Sequence, residues 1–206
     1  MNSHELTCEE NLIAGVDEVG RGCLFGVVVA AAVILPKTAI EQCQAWGIKD
    51  SKKLSAARRE QLLPLIHQAA IAHQIGIATV NEIDELNILQ AALLALKRAI
   101  IGLSITPELC LIDGNKLIPK CDLPQQTLIK GEDRATSIAA ASILAKVYRD
   151  RLMTELSLTY PMYDLANNKG YGTAKHLKAI EKYGVCDEHR RSFSPVRLAI
   201  ESSSHP

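Results

Sequence analysis

Residues 12–35, LIAGVDEVGRGCLFGVVVAAAVIL, constrain the possible folds more than any other part of the sequence. A first apolar run ends at Asp17 and Glu18, a glycine-rich turn occupies residues 20–22, and a second apolar run begins at Leu24. This pattern predicts two buried β-strands joined by a tight turn. An unpaired buried charge is very costly, so two adjacent carboxylates at the end of a buried strand indicate a charged partner. A bound divalent cation is the simplest such partner.

The composition is typical of a single domain. The chain has 206 residues, and its hydrophobic fraction of 48% is sufficient for a well-buried, mainly aliphatic core. No apolar run reaches the length of a membrane span, and the polar, acidic N-terminus is unlike a secretory signal. Six cysteines are scattered without a C-x-x-C pair, as expected for reduced thiols. We therefore expect a cytoplasmic protein without membrane contact, and nothing in the sequence demands more than a monomer.

The formal net charge is zero, whereas many nucleic-acid-binding domains are basic overall. This balance does not exclude a metal-dependent nuclease, because the acidic site of such an enzyme offsets its basic contact surface. The basic residues are indeed clustered in the sequence, at Lys52 and Lys53, Arg58 and Arg59, Lys146 and Arg149, Lys169 and Lys175, and Arg190 and Arg191.

The order of the predicted elements indicates an α/β fold, with a mixed central sheet flanked by helices and a helical C-terminal part. Further strands are predicted at residues 75–80, 109–112 and 126–129. Helices are predicted from Ser55 to about residue 72, from Asn81 or Asp84 to about residue 99, over 137–156 and over 174–183. Pro64 is expected to kink or restart the first of these helices. We expect one domain over residues 1–206, with residues 1–11 loose, a core at about 11–160 and the helical part at about 161–200.

Acidic residues follow three of the predicted strands. Asp17 and Glu18 end the first, Asp113 follows LCLI, and Glu132 or its neighbour Asp133 follows TLIK. If these strands are neighbours, the carboxylates converge and repel one another unless cations lie between them. Oxygen ligands suit Mg²⁺ or Mn²⁺, and two such ions about 3.5–4 Å apart can hydrolyse a phosphodiester. Taken singly, an acid such as Asp113 before a glycine is also an ordinary turn residue.

Other residues have the chemistry of nucleic-acid contacts. Arg21, fixed between two glycines, suits a phosphate or ribose contact, and Tyr171 lies between two glycines that indicate exposure. Lys146 is surrounded by small apolar residues, which favours a phosphate contact over an idle surface position. Arg149 is compatible with a solvated face of its helix. We expect solvent or the nucleic-acid backbone as the surroundings of Lys52, Lys53, Arg190 and Arg191. His176 and His189 have no visible partner, so we expect a structural role for both.

Six further segments resemble motifs of type 2 ribonuclease H (ribonuclease HII). They are DSKKL at 50–54, IDELNI at 83–88, LIDGN at 111–115, SIAAASILAKVYRD at 137–150, KGYGT at 169–173 and RRSFSPV at 190–196. With the opening stretch they span residues 13–197 in the order found in that family. An ordered set of this length is far more specific than any single motif.

The resemblance implies a ribonuclease H-like fold and an endonuclease that cuts the RNA strand of RNA–DNA hybrids. The cut would fall on the 5′ side of a ribonucleotide, including a single one in duplex DNA, and leave a 3′-hydroxyl and a 5′-phosphate. Asp17, Glu18, Asp113 and Glu132 would hold two Mn²⁺ or Mg²⁺ ions. The family usually has KGD where this chain has KGED; Glu132 takes that place when counted back from the following helix, and Asp133 takes it if the turn shifts.

The resemblance also implies roles in substrate recognition. Gly20, Arg21 and Gly22 would read the ribose 2′-hydroxyl through backbone contacts, and Tyr171 would pack against the sugar next to the cut. Two alternatives stay open at this point: another metal nuclease of the same fold, such as a junction resolvase, and a non-catalytic nucleic-acid- or nucleotide-binding module. The Gly20-x-Gly22 spacing is too short for a dinucleotide-binding fingerprint, and a binder gains nothing from converging carboxylates.

Overall fold

The computed structural model describes residues 3–49 and 53–203. The five strands are β1 (Ile13–Val19), β2 (Val28–Ile34), β3 (Ala72–Ala78), β4 (Leu109–Asp113) and β5 (Gln125–Leu128). The helices described within these ranges are α1 (Lys37–Ala45), α2 (Ala56–Ala69), α3 (Val80–Leu86), α4 (Ile88–Ile101), α5 (Thr136–Thr159), α6 (Leu165–Asn168), α7 (Ala174–Tyr183) and α8 (Ser194–Ser203).

The strands form one mixed sheet in the order β3-β2-β1-β4-β5. The first three strands are antiparallel neighbours, whereas β4 is parallel to β1 and β5 is parallel to β4. The predicted mixed sheet with flanking helices is therefore confirmed. Because β1 is central and parallel to β4, their carboxyl ends meet at the same edge of the sheet, where the predicted carboxylates follow.

Helices cover both faces of the sheet. Ala14 and Val16 of β1 pack in the cluster that contains α4, and Ile13 packs against the start of α5 on the other face. Gly15 brings α5 unusually close, since a Cβ atom there would lie 2.1 Å from the backbone nitrogen of Ile138. No larger residue fits at this position without moving the helix, so the glycine sets the distance between β1 and α5.

The C-terminal helices form a separate apolar cluster beside the end of α5. Phe25, from the segment between β1 and β2, packs there with Met153, Tyr163 and Ile180. The segment that follows the glycine-rich turn is therefore held against the C-terminal part of the chain, as well as against the sheet.

Several predicted boundaries are corrected by capping. The third strand ends at Ala78 because Thr79 starts α3 with a capping box to Glu82. The predicted single helix after it is two helices, because Asn87 adopts φ +74° and caps α4 through its side chain. Pro64 lies inside one continuous helix and does not restart it. Helices α1, α6 and α8 were not predicted, whereas α7 has the predicted bounds, with Thr173 as its cap.

Residues 3–11 are not loose. Helix α5 has no side-chain cap of its own at Ala135, and the buried Glu5 supplies one from the N-terminal segment. Its carboxylate accepts hydrogen bonds from the backbone N–H groups of Thr136, at 3.0 Å, and Ser137, at 2.6 Å, and contacts the Ser3 hydroxyl. A carboxylate at a helix N-terminus also meets the positive end of the helix dipole. The N-terminal segment therefore fixes the start of the helix that borders the predicted site.

We expect Glu5→Gln to lower the free energy of unfolding by about 1 kcal/mol, the usual value of a lost helix cap, because one amide N–H would then face the N–H groups of α5. Urea denaturation followed by circular dichroism measures this change. Glu9→Gln is the matched control, since Glu9 is exposed. Equal stability of the two variants would contradict the capping role.

Candidate active site

The ends of β1 and β4 bring two of the predicted carboxylates together. These strands pair in register from Ile13 with Leu109 to Val16 with Ile112, and one further step places Asp17 beside Asp113. Asp113 also accepts a hydrogen bond from the backbone N–H of Gly131 at 2.7 Å. This contact ties the end of β4 to the turn that carries the fourth predicted position.

Glu132, rather than Asp133, faces this edge of the sheet. Glu132 is buried, with 8% of its surface exposed, whereas Asp133 is exposed to solvent. The hydroxyl of Ser142 on α5 lies 3.3 Å from Glu132 Oε2 and is also within hydrogen-bonding reach of Asp17, so these two carboxylates share its single proton. Ser142 therefore lies between two carboxylates. The sequence reasoning did not include it as a site residue, although a hydroxyl within the alanine-rich face of α5 is the signal that identifies it.

The pKa values of Asp17 and Glu18 are raised by burial and by neighbouring carboxylates. Burial raises the pKa of Asp17 well above its ordinary value, the negative charges of Glu18 and Asp113 raise it further, and the hydrogen bond from Ser142 opposes these effects. Burial also raises the pKa of Glu18, and the nearby Arg21 guanidinium partly offsets this. A cation among these groups would relieve the repulsion.

The donor set fits hard divalent cations, because its members are carboxylate oxygens at one buried edge. Among residues 3–49 and 53–203, no three or more His, Cys, Asp or Glu side chains are arranged closely enough to hold a metal ion. The carboxylates are thus neighbours that influence each other electrostatically, but their side chains do not form a closed coordination sphere.

The glycine-rich turn lies next to Glu18. Gly20 adopts φ +94°, a conformation that favours glycine, and a Cβ atom there would lie 2.3 Å from Nε of Arg149. Arg21 pairs with Glu18 at 3.2 Å, yet half of its side-chain surface is exposed. A Cβ atom at Gly22 would lie 3.9 Å from the Tyr171 ring. The turn therefore connects the carboxylates to Tyr171.

Tyr171 and Lys146 share a small cavity with the first carboxylates. This cavity, of about 110 Å³, is lined by Asp17, Glu18, Val19, Arg59, Ser142, Lys146 and Tyr171. Tyr171 is 41% exposed, as its flanking glycines predict. Lys146 is ion-paired with Asp150 at 2.8 Å, and Arg59 approaches the same carboxylate at 3.6 Å. The sequence reasoning did not include Arg59 in the site, because its position depends on how α2 packs on α5.

A second cavity of about 110 Å³ lies on the other side of Glu18. Its polar lining consists of Glu18, Arg21, Asp113, Asn115 and Lys116. Glu18 therefore borders both cavities, and Asn115 and Lys116, from the LIDGN segment and its following residue, are additional site candidates.

Two arginines that were expected at the surface are fully buried. Arg149 donates hydrogen bonds to the carbonyl oxygens of Phe25, Val27 and Lys169. Arg190 donates to the carbonyl oxygens of Arg21, Gly26 and Val27, and burial lowers its pKa to about 10. These side chains hold the glycine-rich turn, the start of β2 and the loop before Tyr171 together.

The expectation that Arg190 is solvated or contacts nucleic acid is thus wrong, and so is a solvated position for Arg149. Sequence reasoning missed both because arginines are exposed by default, and the accepting carbonyls lie far away in the sequence. Lys53 and Arg191 are exposed. The prediction for Lys52 lies outside the described residues.

Comparisons with known proteins show the family of this chain. The family model of Ribonuclease HII matches residues 14–196. Ribonuclease HII of Acaryochloris marina is 56% identical over 188 residues, covering 91% of this chain and 95% of that protein. The crystal structure of ribonuclease H2 from Pyrococcus horikoshii OT3 superposes with a TM-score of 0.80 at 26% identity, covering 94% of this chain and 99% of that one.

A more distant structure, Bst-RNase HIII in complex with Mn²⁺, has a TM-score of 0.74 at 21% identity and covers 98% of this chain and 73% of that one, which shows the fold alone. The predicted ribonuclease H-like fold is confirmed by these superpositions. In the described part of the chain, no helix is both long enough and apolar enough to cross a membrane. The chain therefore belongs to the ribonuclease HII family and is a ribonuclease H, a membership that supports endoribonuclease activity on RNA–DNA hybrids.

Proposed function

We propose that this protein cuts the RNA strand of RNA–DNA hybrids and nicks duplex DNA on the 5′ side of a single embedded ribonucleotide. The products are a 3′-hydroxyl and a 5′-phosphate. The observation that supports the proposal is the proximity of Asp17, Glu18 and Asp113 at the ends of β1 and β4, next to the turn at residues 20–22. Glu132 is linked to this edge through the Ser142 hydroxyl. The proposed metal site and the proposed ribose-reading turn would thus be adjacent.

The four carboxylates are proposed to hold two divalent ions, Mn²⁺ or Mg²⁺. The burial of Asp17 and Glu18 and their repulsion by Asp113 favour cation binding, and the Mn²⁺ complex of Bst-RNase HIII is consistent with such ions in this fold. When bound, two ions of this kind supply an activated water and stabilise the leaving oxygen of a phosphodiester. The protein's contribution is to fix the carboxylates: Ser142 orients Asp17 and Glu132, and the Gly131 N–H orients Asp113.

Substrate selection is assigned to the turn and to Tyr171. The 2′-hydroxyl distinguishes RNA from DNA, and we propose that backbone groups of the turn at Gly20, Arg21 and Gly22 hydrogen-bond with it. Arg21 and Gly22 are exposed, whereas Gly20 is buried. The buried Arg149 side chain packs against Gly20, and Arg190 donates a hydrogen bond to the Arg21 carbonyl, so the backbone groups of the turn keep a fixed direction. Tyr171 presents its ring to the adjacent sugar, and Lys146 supplies a positive charge for a nearby phosphate.

The remaining parts of the proposal concern the whole chain. Residues 1–206 would act as one domain, with the catalytic core at about 11–160 and the helical part at about 161–200. Its partners would be RNA–DNA hybrids or duplex DNA that contains ribonucleotides. We propose a monomer in the cytoplasm, consistent with six free cysteines.

An end-labelled DNA duplex with one ribonucleotide tests the proposal directly. We expect a single nick on the 5′ side of the ribonucleotide with Mn²⁺ or Mg²⁺, none with a chelator, and none in the matched all-DNA duplex, because the 2′-hydroxyl is read at the cut. Denaturing gel electrophoresis measures the products. Cleavage of branched or all-DNA substrates instead would indicate a resolvase-like enzyme, and binding without cleavage a non-catalytic module.

Neutral variants test the proposed metal-binding residues. We expect Asp113→Asn and Glu132→Gln each to lower kcat by at least about 100-fold while leaving the circular dichroism spectrum unchanged, because each removes a negative charge and a ligand. Asp133→Asn is the matched control, since Asp133 is exposed to solvent. A large loss of activity in Asp133→Asn, with full activity in Glu132→Gln, would show that Asp133 and not Glu132 is the fourth metal ligand.

Tyr171 is tested by comparing two substrates. We expect Tyr171→Ala to lower kcat/KM by about 10-fold for the duplex with one ribonucleotide, and by less for a long hybrid, because ring stacking is lost beside the only available ribose. Tyr171→Phe keeps the ring and should stay close to the wild type. An equal loss on both substrates in Tyr171→Ala would contradict a role in sensing the junction.

A further inference from the structure

Two buried histidines lie behind the loop that carries Tyr171, and the proposed chemistry does not use them. His176 is on α7, and His189 is in the segment between α7 and α8. Both side chains are fully buried, and their Nε2 atoms are 3.2 Å apart. A polar pair in such a position requires a defined arrangement of its protons, because each buried nitrogen needs a hydrogen-bond partner.

The neighbours of the pair define where the protons are. His189 Nδ1 accepts a hydrogen bond from the backbone N–H of Cys186 at 3.1 Å, so His189 carries its proton on Nε2. That proton is donated to His176 Nε2, and His176 must then carry its own proton on Nδ1. His176 Nδ1 lies 2.9 Å from the carbonyl oxygen of Tyr171, which can only accept. The N–H group of Cys186 at one end and the carbonyl of Tyr171 at the other therefore require the same proton positions, with Nε2–H on His189 and Nδ1–H on His176.

A second proton on either ring is disfavoured. A charged His176 would place its Nε2–H against the Nε2–H of His189, and a charged His189 would place Nδ1–H against the N–H of Cys186. Burial lowers the pKa of His176, and burial together with His176 lowers the pKa of His189 to about 4. Both rings are therefore neutral at pH 7.

Aromatic packing fixes the orientation of the pair. Phe25 and Tyr163 both meet the His189 ring edge to face, with ring centroids 4.9 and 4.6 Å away. The His189 ring cannot rotate freely in this environment, so the direction of its Nε2–H toward His176 is set by packing.

The hydrogen bond from His176 adds to the local bonds of Tyr171. The Tyr171 carbonyl also accepts from the N–H of Thr173 at 2.8 Å, and the Tyr171 N–H donates to the carbonyl of Asn168 at 2.9 Å. Both of these bonds stay within residues 168–173. The bond from the His176 ring instead anchors Tyr171 to a buried side chain whose own position is set by His189.

We propose that His176 is a positioning residue for Tyr171, held in its Nδ1–H form by His189, and that this pair sets where the Tyr171 ring meets the substrate. The inference rests on the proposed role of Tyr171 in sensing the ribose junction. The pair acts through the backbone of Tyr171 and touches neither the substrate nor the carboxylates.

Two substitutions at His176 separate the parts of this proposal. In His176→Asn the short amide can place an N–H group where Nδ1 lies, which keeps the bond to the Tyr171 carbonyl and loses the contact with His189. In His176→Gln the longer amide reaches the Nε2 position, which keeps a partner for His189 and loses the donor to Tyr171. The two variants have similar polarity, so a difference between them reports the bond to Tyr171.

We expect His176→Gln to lower kcat/KM for the duplex with one ribonucleotide by about 5-fold relative to a long hybrid, the loss typical of one hydrogen bond. His176→Asn should retain the wild-type ratio between the two substrates. Wild-type ratios in both variants, or the same reduced ratio in both, would overturn the positioning role.

Tyr171→Ala, measured alongside, separates this inference from the function on which it rests. If Tyr171→Ala changes the ratio and His176→Gln does not, only the role of His176 is overturned. If Tyr171→Ala does not change the ratio, the sensing role of Tyr171 fails, and the role of His176 in substrate choice fails with it.

NMR of the ¹⁵N-labelled wild-type protein tests the proton assignment without any variant. Long-range ¹H–¹⁵N spectra of the imidazole rings at pH 7 should show His176 as the neutral Nδ1–H form and His189 as the neutral Nε2–H form, assigned through the backbone. His176 as the Nε2–H form, or as an imidazolium, would overturn the proposal even if both variants failed to fold.

Discussion

The close contact between β1 and α5 is the constraint on which the site depends. Gly15 allows the backbone of α5 to lie directly against the central strand, so residues at helical spacing along α5 reach successive parts of the site. Ser142 lies between two carboxylates, Lys146 lines the cavity beside them, and Arg149 lies beneath the glycine-rich turn. Glu5, which caps the start of α5, therefore stabilises the element that connects the carboxylates to the turn.

Features that depend on local patterns could be predicted from the sequence. Apolar runs located the central strands, and the acids at their ends predicted that Asp17 and Asp113 would converge if the strands were neighbours, as the parallel pairing of β1 and β4 makes them. The bounds of α7 follow from a threonine cap and a terminal glycine. The choice between Glu132 and Asp133 was left open by the sequence, because it depends on which face of one short turn points inward.

Features that depend on distant partners could not be predicted. Arg190 is buried because carbonyl groups more than 160 residues away accept its hydrogen bonds. Glu5 caps a helix that begins 131 residues later. His176 and His189 look like isolated histidines until the fold brings their rings together. In each case the residue type alone indicates exposure or gives no signal, and only the tertiary contacts identify its role.

The structure divides the site into two parts with different supports. The carboxylates depend on strand ends, on Ser142 and on the turn at residues 131–133, all of which belong to the sheet and its neighbouring helix. The turn at residues 20–22 and Tyr171 depend on Arg149, further along α5, and on Arg190 and the histidine pair from the C-terminal part of the chain. Because the two sets of supporting contacts involve different side chains, substitutions in the second set can alter which substrate is accepted without moving the groups that would hold the metal ions.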